Sequence, residues 1–312
     1  MIINTGGRTD TVQYFSEWLL ERFRQGYALS RNPMFPDKVT RYNLTPGAVD
    51  CVVFCSKNYE PILPRLHEIT DRFSTYFYYT ITAYGKDVEP GVPDLDKSID
   101  TLLKLERQVG RERITWRYDP VLLTKRYTVR QHLITFEHMA SRLQGHVNEC
   151  VFSFVDLYKK LQFNFPEMVL LTEEDMEELA EGLGRSARKH GMRIRICASG
   201  RDYSHYGILS PGCMTLDILG AANGLKFKDL KHKGMRPGCR CITSHDIGAY
   251  DTCMNGCKYC YANSDPLTAQ ENFKKHDPHS PMLLGSLQKD DVVRQGQQRS
   301  FLDLSGQQMD LF

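Results

Sequence analysis

The sequence has no apolar run approaching the ~18 residues that a bilayer-spanning helix needs, which argues against a helical membrane protein. A formal net charge of only +2 over 312 residues is too small for charge alone to argue for or against nucleic acid. The opening Met1-Ile-Ile-Asn-Thr5 lacks the basic region and long apolar region of a secretory signal. No repeat of solenoid period is found, and Gly6-Gly7 lacks the spacing of a G-x-G-x-x-G dinucleotide loop. Cysteine, by contrast, is plentiful. Ten thiols without a secretory signal point to a reducing cytoplasm and to metal binding rather than disulfides.

With 41% hydrophobic and 25% charged residues, the chain can bury a sizeable core. Six apolar runs read as buried strands, each followed by a helical pattern: residues 2–5, 51–55, 76–81, 114–116, 150–155 and 191–197. Val12, Phe15, Leu19 and Phe23 share a helical face after the first run. Val129, Leu133, Phe136, Ala140 and Leu143 do so after the fourth. Thr172-Glu-Glu-Asp175 reads as a capping box opening a further helix. This alternation predicts a parallel α/β fold. An open (β/α)6 partial TIM-type barrel over residues 1–200 accommodates it, with a doubly wound sheet as the alternative. Residues 201–285 form a Cys-rich segment expected to pack on the barrel mouth. From 286 to 312 the chain is polar and Gln-rich and reads as a flexible tail.

The densest chemistry lies in Cys253-Met-Asn-Gly-Cys257-Lys-Tyr-Cys260. Three soft thiolates this close, on a loop that Gly256 allows to turn, can wrap one corner of a cubane iron–sulfur cluster and leave one iron open. Structural zinc ordinarily uses two C-x2-C pairs. Only Cys257 and Cys260 have that spacing, and a zinc knuckle is the alternative. Cys197, Cys213, Cys239 and Cys241 together make a full ligand set for a second [4Fe–4S] cluster or a structural zinc. Cys51, Cys55 and Cys150 lie inside apolar strands and read as packing.

The C-x3-C-x2-C spacing, with Tyr259 before its last Cys, resembles the signature of radical S-adenosylmethionine (SAM) enzymes. Cys257-Lys-Tyr-Cys260-Tyr-Ala262 resembles the ending found in the spore photoproduct lyase branch, whose members repair DNA. Over its length the chain resembles domain of unknown function family 1848. The matching pieces are Arg8-Thr-Asp10, Arg31-Asn-Pro33, Trp116-Arg-Tyr-Asp-Pro120, Ser153-Phe-Val-Asp-Leu157, Asp246-Ile-Gly-Ala-Tyr250 and His276-Asp-Pro278 with Ser280-Pro281. It departs from that pattern at Gly6, Gly7 and Ser199. The resemblance implies a [4Fe–4S] cluster on Cys253, Cys257 and Cys260, with SAM at the open iron. It also implies reductive cleavage of SAM to a 5′-deoxyadenosyl radical, fed by an electron donor such as flavodoxin or ferredoxin. Radical SAM enzymes usually carry the cysteine loop after their first strand. Here it follows the sixth, so the implied barrel is permuted.

Arg8, Asp10, Lys57, Asn58, Arg117, Asp119, Ser153 and Asp156 end the predicted strands. In a barrel those positions line the active-site mouth. They are candidates for contact with SAM or substrate; a ring of structural salt bridges is the alternative. Tyr250 and Tyr259 are expected to pack on the cluster. His232, His245, His276 and His279 read as solvated. The ending Gln308-Met-Asp-Leu-Phe312 resembles the bacterial sliding-clamp-binding peptide, with Leu311 and Phe312 as apolar anchors and Gln308 as the polar handle. These features point to a radical SAM-type enzyme acting on DNA or another nucleic acid. A non-catalytic iron–sulfur or zinc-stabilised binding protein, recruited through its tail, is the second expectation.

Overall fold

A computed structural model describes residues 1–230, 234 and 238–305. The clamp-like residues Gln308, Leu311 and Phe312, and also His232, lie outside the described residues. The strands are β1 (Ile2–Asn4), β2 (Tyr27–Arg31), β3 (Lys38–Asn43), β4 (Cys51–Ser56), β5 (Thr75–Thr80), β6 (Ile114–Val121), β7 (Glu149–Phe154), β8 (Arg193–Ile196), β9 (Ile208–Leu209), β10 (His245–Asp246) and β11 (Val292–Gln295). Eight of them form one sheet in the order β10-β1-β4-β5-β6-β7-β8-β9. Every pairing in it is parallel.

All six expected strands are present, but the sheet holds eight. β9 and β10 come from the segment that the sequence assigned to a separate Cys-rich unit, so the sheet does not stop at residue 200. Each is two residues long, too short to show a period. From β1 to β9 the order is sequential, so each crossover steps the same way and the helices collect on one face. That order does not fit the doubly wound alternative, which reverses direction part-way. The outermost strands β10 and β9 are not neighbours, so the sheet is open.

Successive strand residues point to opposite faces, and here both faces are buried. Ile3, Val52, Phe54, Phe77, Trp116 and Phe152 face a large core shared with Trp18, Leu102, Phe136 and Leu183 of the crossover helices. Trp116 stacks on Phe136 with ring centroids 4.7 Å apart, and its indole N–H donates to the Ile81 carbonyl at 3.0 Å. Burial of both the ring and its polar handle makes truncation to Ala cost about 3–5 kcal/mol. The opposite face carries Ile2, Cys51, Val53, Tyr76, Tyr78 and Val151, covered by Met214, Leu216, Leu219 and Ile242. The Cys-rich segment therefore supplies a second core against the inner face of the sheet.

The helix patterns hold after the third, fourth and fifth runs; after the second only a 3-10 turn, Leu63–Arg65, and a short helix, His67–Thr70, follow, and after the sixth a 3-10 turn, Ser204–Tyr206, leads straight into β9. Thr172 and Asp175 form the expected capping box at the start of helix Glu173–Lys189. The first pattern is two helices, Thr11–Tyr14 and Ser16–Gln25, broken at Phe15. β2 and β3 form an antiparallel hairpin, and β11 adds parallel to β3. This corrects the flexible-tail expectation for residues up to 305. Arg31 pairs with Asp291 at 2.5 Å, and Phe301 N–H donates to Asp50 at 2.8 Å. Composition suggested a tail because its contacts are backbone pairing and charge rather than apolar burial. No helix among the described residues is long and apolar enough to cross a membrane.

Candidate functional site

In a parallel sheet all carboxyl ends lie along one edge, and the loops there converge. The loop after β1 carries Gly7, Arg8 and Asp10. The loop after β4 carries Lys57, and the loop after β5 carries Glu89 and Gly91. The loop after β10 carries the cysteine motif. The chain leaves β10, turns at Asp251 with φ 55° and at Gly256 with φ 64°, and enters helix Pro266–Lys274. Asp265 caps that helix, and Pro266 opens it; at the first helical position the missing proline N–H costs nothing.

Asp10 anchors the loop. Its buried carboxylate accepts from Ser56 Oγ at 2.6 Å, Lys57 N at 2.9 Å, Gln13 N at 3.0 Å and Asn255 Nδ2 at 3.2 Å. These bonds tie the ends of β1 and β4 to the cysteine loop. Gly91 N–H donates to the Asn255 carbonyl at 2.8 Å, and Lys258 N–H donates to Val88 at 3.0 Å. A Cβ on Gly91 would stand 2.6 Å from the Met254 carbonyl oxygen, so only glycine allows this approach.

A charged cluster supports the loop from beneath. Lys57 Nζ lies 2.9 Å from Glu89 Oε1, and both side chains are largely buried. Thr82 Oγ1 donates to the same carboxylate at 2.9 Å, and the Tyr259 hydroxyl bonds it as well. Burial pushes the Lys57 ammonium down, but Glu89 and Cys257 outweigh that and hold its pKa above the ordinary value. Lys57 lies 5.8 Å from the Tyr259 ring centre. Lys57 in turn pulls the Cys257 pKa down, against the larger effects of burial and of Glu89.

The three motif thiols lie on one loop, but not all within 4.8 Å of one another. Cys253 is buried, and Cys257 and Cys260 are half-buried. Each of Cys253 and Cys260 lies close enough to Cys257 to raise its pKa. Yet among the described residues, the only group of three side chains with metal-ligand atoms all within 4.8 Å is Cys197, Cys213 and Cys241. Burial, with Asp10 nearby, pushes the Cys253 thiol up to about 12, and burial holds Cys257 well above the ordinary thiol range. Thiols of this kind are inert as free nucleophiles, whereas a bound metal deprotonates them outright. The Ala262 N–H donates to Cys260 Sγ at 3.3 Å, the kind of bond that tunes a metal-bound sulfur. Asn263 donates to the Cys253 carbonyl, while its buried Oδ1 has no protein partner.

The remaining sequence candidates divide. Asp119 and Ser153 bond each other, and Asp119 pairs with Arg117. Arg117 turns its other nitrogen to Cys213 Sγ at 3.8 Å, so this trio serves the second thiol group. Asp156 borders a cavity of about 420 Å³ with Cys197, Arg201 and Tyr203. Arg8 donates to Ser30 Oγ at 3.0 Å and lies over Tyr250. Asn58 caps its own turn by accepting from Glu60 N at 3.0 Å. Tyr259 is buried, while Tyr250 is 39% exposed. His245 and His276 are not simply solvated. His245 packs on Tyr42 at 4.9 Å and His276 on Phe15 at 4.6 Å, and burial lowers the pKa of both. His279 is exposed.

Sequence reading missed Glu89, Gly91 and Asn255. Glu89 stands nine residues beyond the end of β5 at Thr80, too far to count as a strand end. An acidic residue between Gly85 and Gly91 was the available signal.

Comparison with known proteins gives a family and little else. A family described as Domain of unknown function (DUF1848) matches residues 2–262. No curated protein matches the chain. A solved structure named as that of a proposed alpha-L-fucosidase from Bacteroides thetaiotaomicron VPI-5482 is similar over 69% of this chain, at 12% identity and a TM-score of 0.28. The chain spans 60% of that protein's length.

Proposed function

The chain belongs to the family Domain of unknown function (DUF1848), and on that premise we propose that it is a radical SAM-type enzyme with a [4Fe–4S] cluster on Cys253, Cys257 and Cys260. The observation that carries this reading is the spacing of the three thiols. They stand at C-x3-C-x2-C spacing on one loop, which lets three thiolates each bind a different iron of a cubane. The cluster and SAM, when bound, supply one-electron cleavage of SAM to a 5′-deoxyadenosyl radical.

The chain's own residues do the rest. Asp10, Gly91 and Asn255 fix the loop, and the Lys57–Glu89 pair holds Tyr259 against it. Tyr259 excludes water beneath it. The strand–loop–helix order of β10, the cysteine motif and helix Pro266–Lys274 supports a permuted arrangement. The loop follows a strand beside β1, as it would in a partial barrel begun at β10.

For substrate, the reading takes nucleic acid, on the likeness of Cys257-Lys-Tyr-Cys260-Tyr-Ala262 to the photoproduct lyase ending. Tyr261 is 52% exposed and lies 6.4 Å from the ring of Tyr158. Lys160 holds the carbonyls of Tyr261 and Asn263. Exposed aromatic rings with nearby cations suit base stacking. Docking of Gln308, Leu311 and Phe312 on a sliding clamp, and an electron donor of the flavodoxin or ferredoxin type, belong to the same proposal.

The test is anaerobic reconstitution with iron and sulfide. Dithionite reduction should give a [4Fe–4S]+ electron paramagnetic resonance signal that SAM perturbs, and 5′-deoxyadenosine should form. Cys257→Ala should abolish both. A loop that takes up no iron, and a chain that leaves SAM intact, would sink the reading in favour of a binding protein.

A further inference from the structure

Three buried thiols meet on the inner face of the sheet, away from the motif loop. Cys197 follows β8, Cys213 follows β9, and Cys241 precedes β10. Cys197 Sγ lies 3.4 Å from Cys213 Sγ, which lies 3.3 Å from Cys241 Sγ. All three sulfurs lie within 4.8 Å of one another. Two thiolates bound at about 2.3 Å to one tetrahedral zinc lie roughly 3.8 Å apart. This spacing suits a single shared ion and is too tight for thiols on separate irons of a cubane.

The backbone around them is shaped to bring the sulfurs together. Ile242 N–H donates to the Met214 carbonyl at 2.8 Å, which sets Cys213 beside Cys241. Gly212 has φ 106°, and a Cβ there would meet the Arg240 carbonyl at 2.7 Å. Ala198, directly after Cys197, is held at φ 52°, a region that alanine rarely adopts. Such strain persists only where the surroundings enforce it.

The sulfurs also have partners suited to thiolates. Met214 N–H donates to Cys241 Sγ at 3.3 Å. Cys241 N–H donates to Cys239 Sγ at 3.5 Å, which keeps the half-buried Cys239 at the rim of the group. Arg117 reaches Cys213 Sγ at 3.8 Å. A largely buried guanidinium at this position, though also paired with Asp119, offsets part of the negative charge that several thiolates on one divalent ion leave behind.

We propose that Cys197, Cys213 and Cys241, with Cys239 closing in as fourth ligand, hold one tetrahedral zinc ion, separate from the Cys253–Cys260 loop. This narrows the sequence alternatives of a second cluster or zinc to zinc. Gly238, at φ 74°, gives the turn that delivers Cys239 to the group. Binding releases the thiol protons, so uptake is pH-dependent. Zinc here staples the ends of β8 and β9 to the segment that leads into β10. It does not depend on the radical SAM reading.

The test uses full-length Cys253/Cys257/Cys260 triple Ala protein, so that the motif loop contributes no metal. Elemental analysis should find one zinc per chain and no iron or sulfide. Cobalt substitution should give the intense thiolate-to-metal absorption of a tetrahedral site. Cys213→Ser should lose the metal. If that variant fails to fold, Cys239→Ser, at the rim, should fold and lose zinc to a chelator at least tenfold faster. Iron with sulfide in the triple variant, no metal at all, or a Cys197–Cys213 disulfide would overturn the proposal. So would Cys239→Ser protein that holds zinc as tightly as its parent.

Discussion

Asn255 Nδ2 donates to Asp10 Oδ2 across 3.2 Å, joining residues 245 positions apart. This bond closes the first loop of the chain on the cysteine loop that follows its last strand in the main sheet. Four donors converge on one buried carboxylate there, so its removal strands several groups at once.

Asp10→Ala should therefore cost about 3 kcal/mol or more, since each buried donor left unpaired costs about 1–3 kcal/mol. Urea denaturation reads the loss. The same variant should retain less iron at the motif loop while keeping its zinc, because Asp10 touches only the first thiol group. Equal loss of both metals would mean that Asp10 is a general fold residue rather than the anchor of the loop.

Gly91→Ala should displace the cysteine loop. Its Cβ would meet the Met254 carbonyl oxygen at 2.6 Å and Asn255 Cα at 2.8 Å. Both are backbone atoms that cannot swing aside. Overpacking of this kind costs about 1–3 kcal/mol. A lower urea midpoint with faster iron loss is the expected result; unchanged iron retention would show that the loop yields freely.

His132 should make the fold acid-sensitive. It is fully buried, its Nδ1 2.6 Å from the Tyr118 hydroxyl and its Nε2 2.8 Å from the Leu122 carbonyl. Burial lowers its pKa from 6.5 to about 4. The unfolded chain thus takes up a proton near pH 6.5 that the folded chain refuses until about pH 4. Stability from this residue is complete above pH 6.5 and is lost as pH falls between those values, by on the order of 3 kcal/mol. His132→Gln keeps a donor and an acceptor but cannot titrate. Denaturation at pH 7.5 and pH 5 should show a smaller acid loss in the variant; equal losses would place the sensitivity elsewhere.

Much of the scaffold was legible in the sequence, because its signals are local. Apolar runs such as Cys51–Cys55 mark strands buried on both faces, and Thr172 with Asp175 marks a helix start. These patterns follow from backbone geometry and need no distant partner. The C-x3-C-x2-C motif was legible for the same reason: its three thiols sit within one loop. Tertiary structure decided what local pattern cannot carry. β9 and β10 are too short to have a period and exist only because a neighbouring strand offers hydrogen bonds. Composition made residues 292–295 read as tail, and β3 made them a strand. Cys197, Cys213 and Cys241 are scattered in sequence, and only the packing of their segment against the inner sheet face brings three sulfurs together. Glu89 and Asn255 acquire their roles the same way, since a loop's contacts depend on where the sheet delivers it.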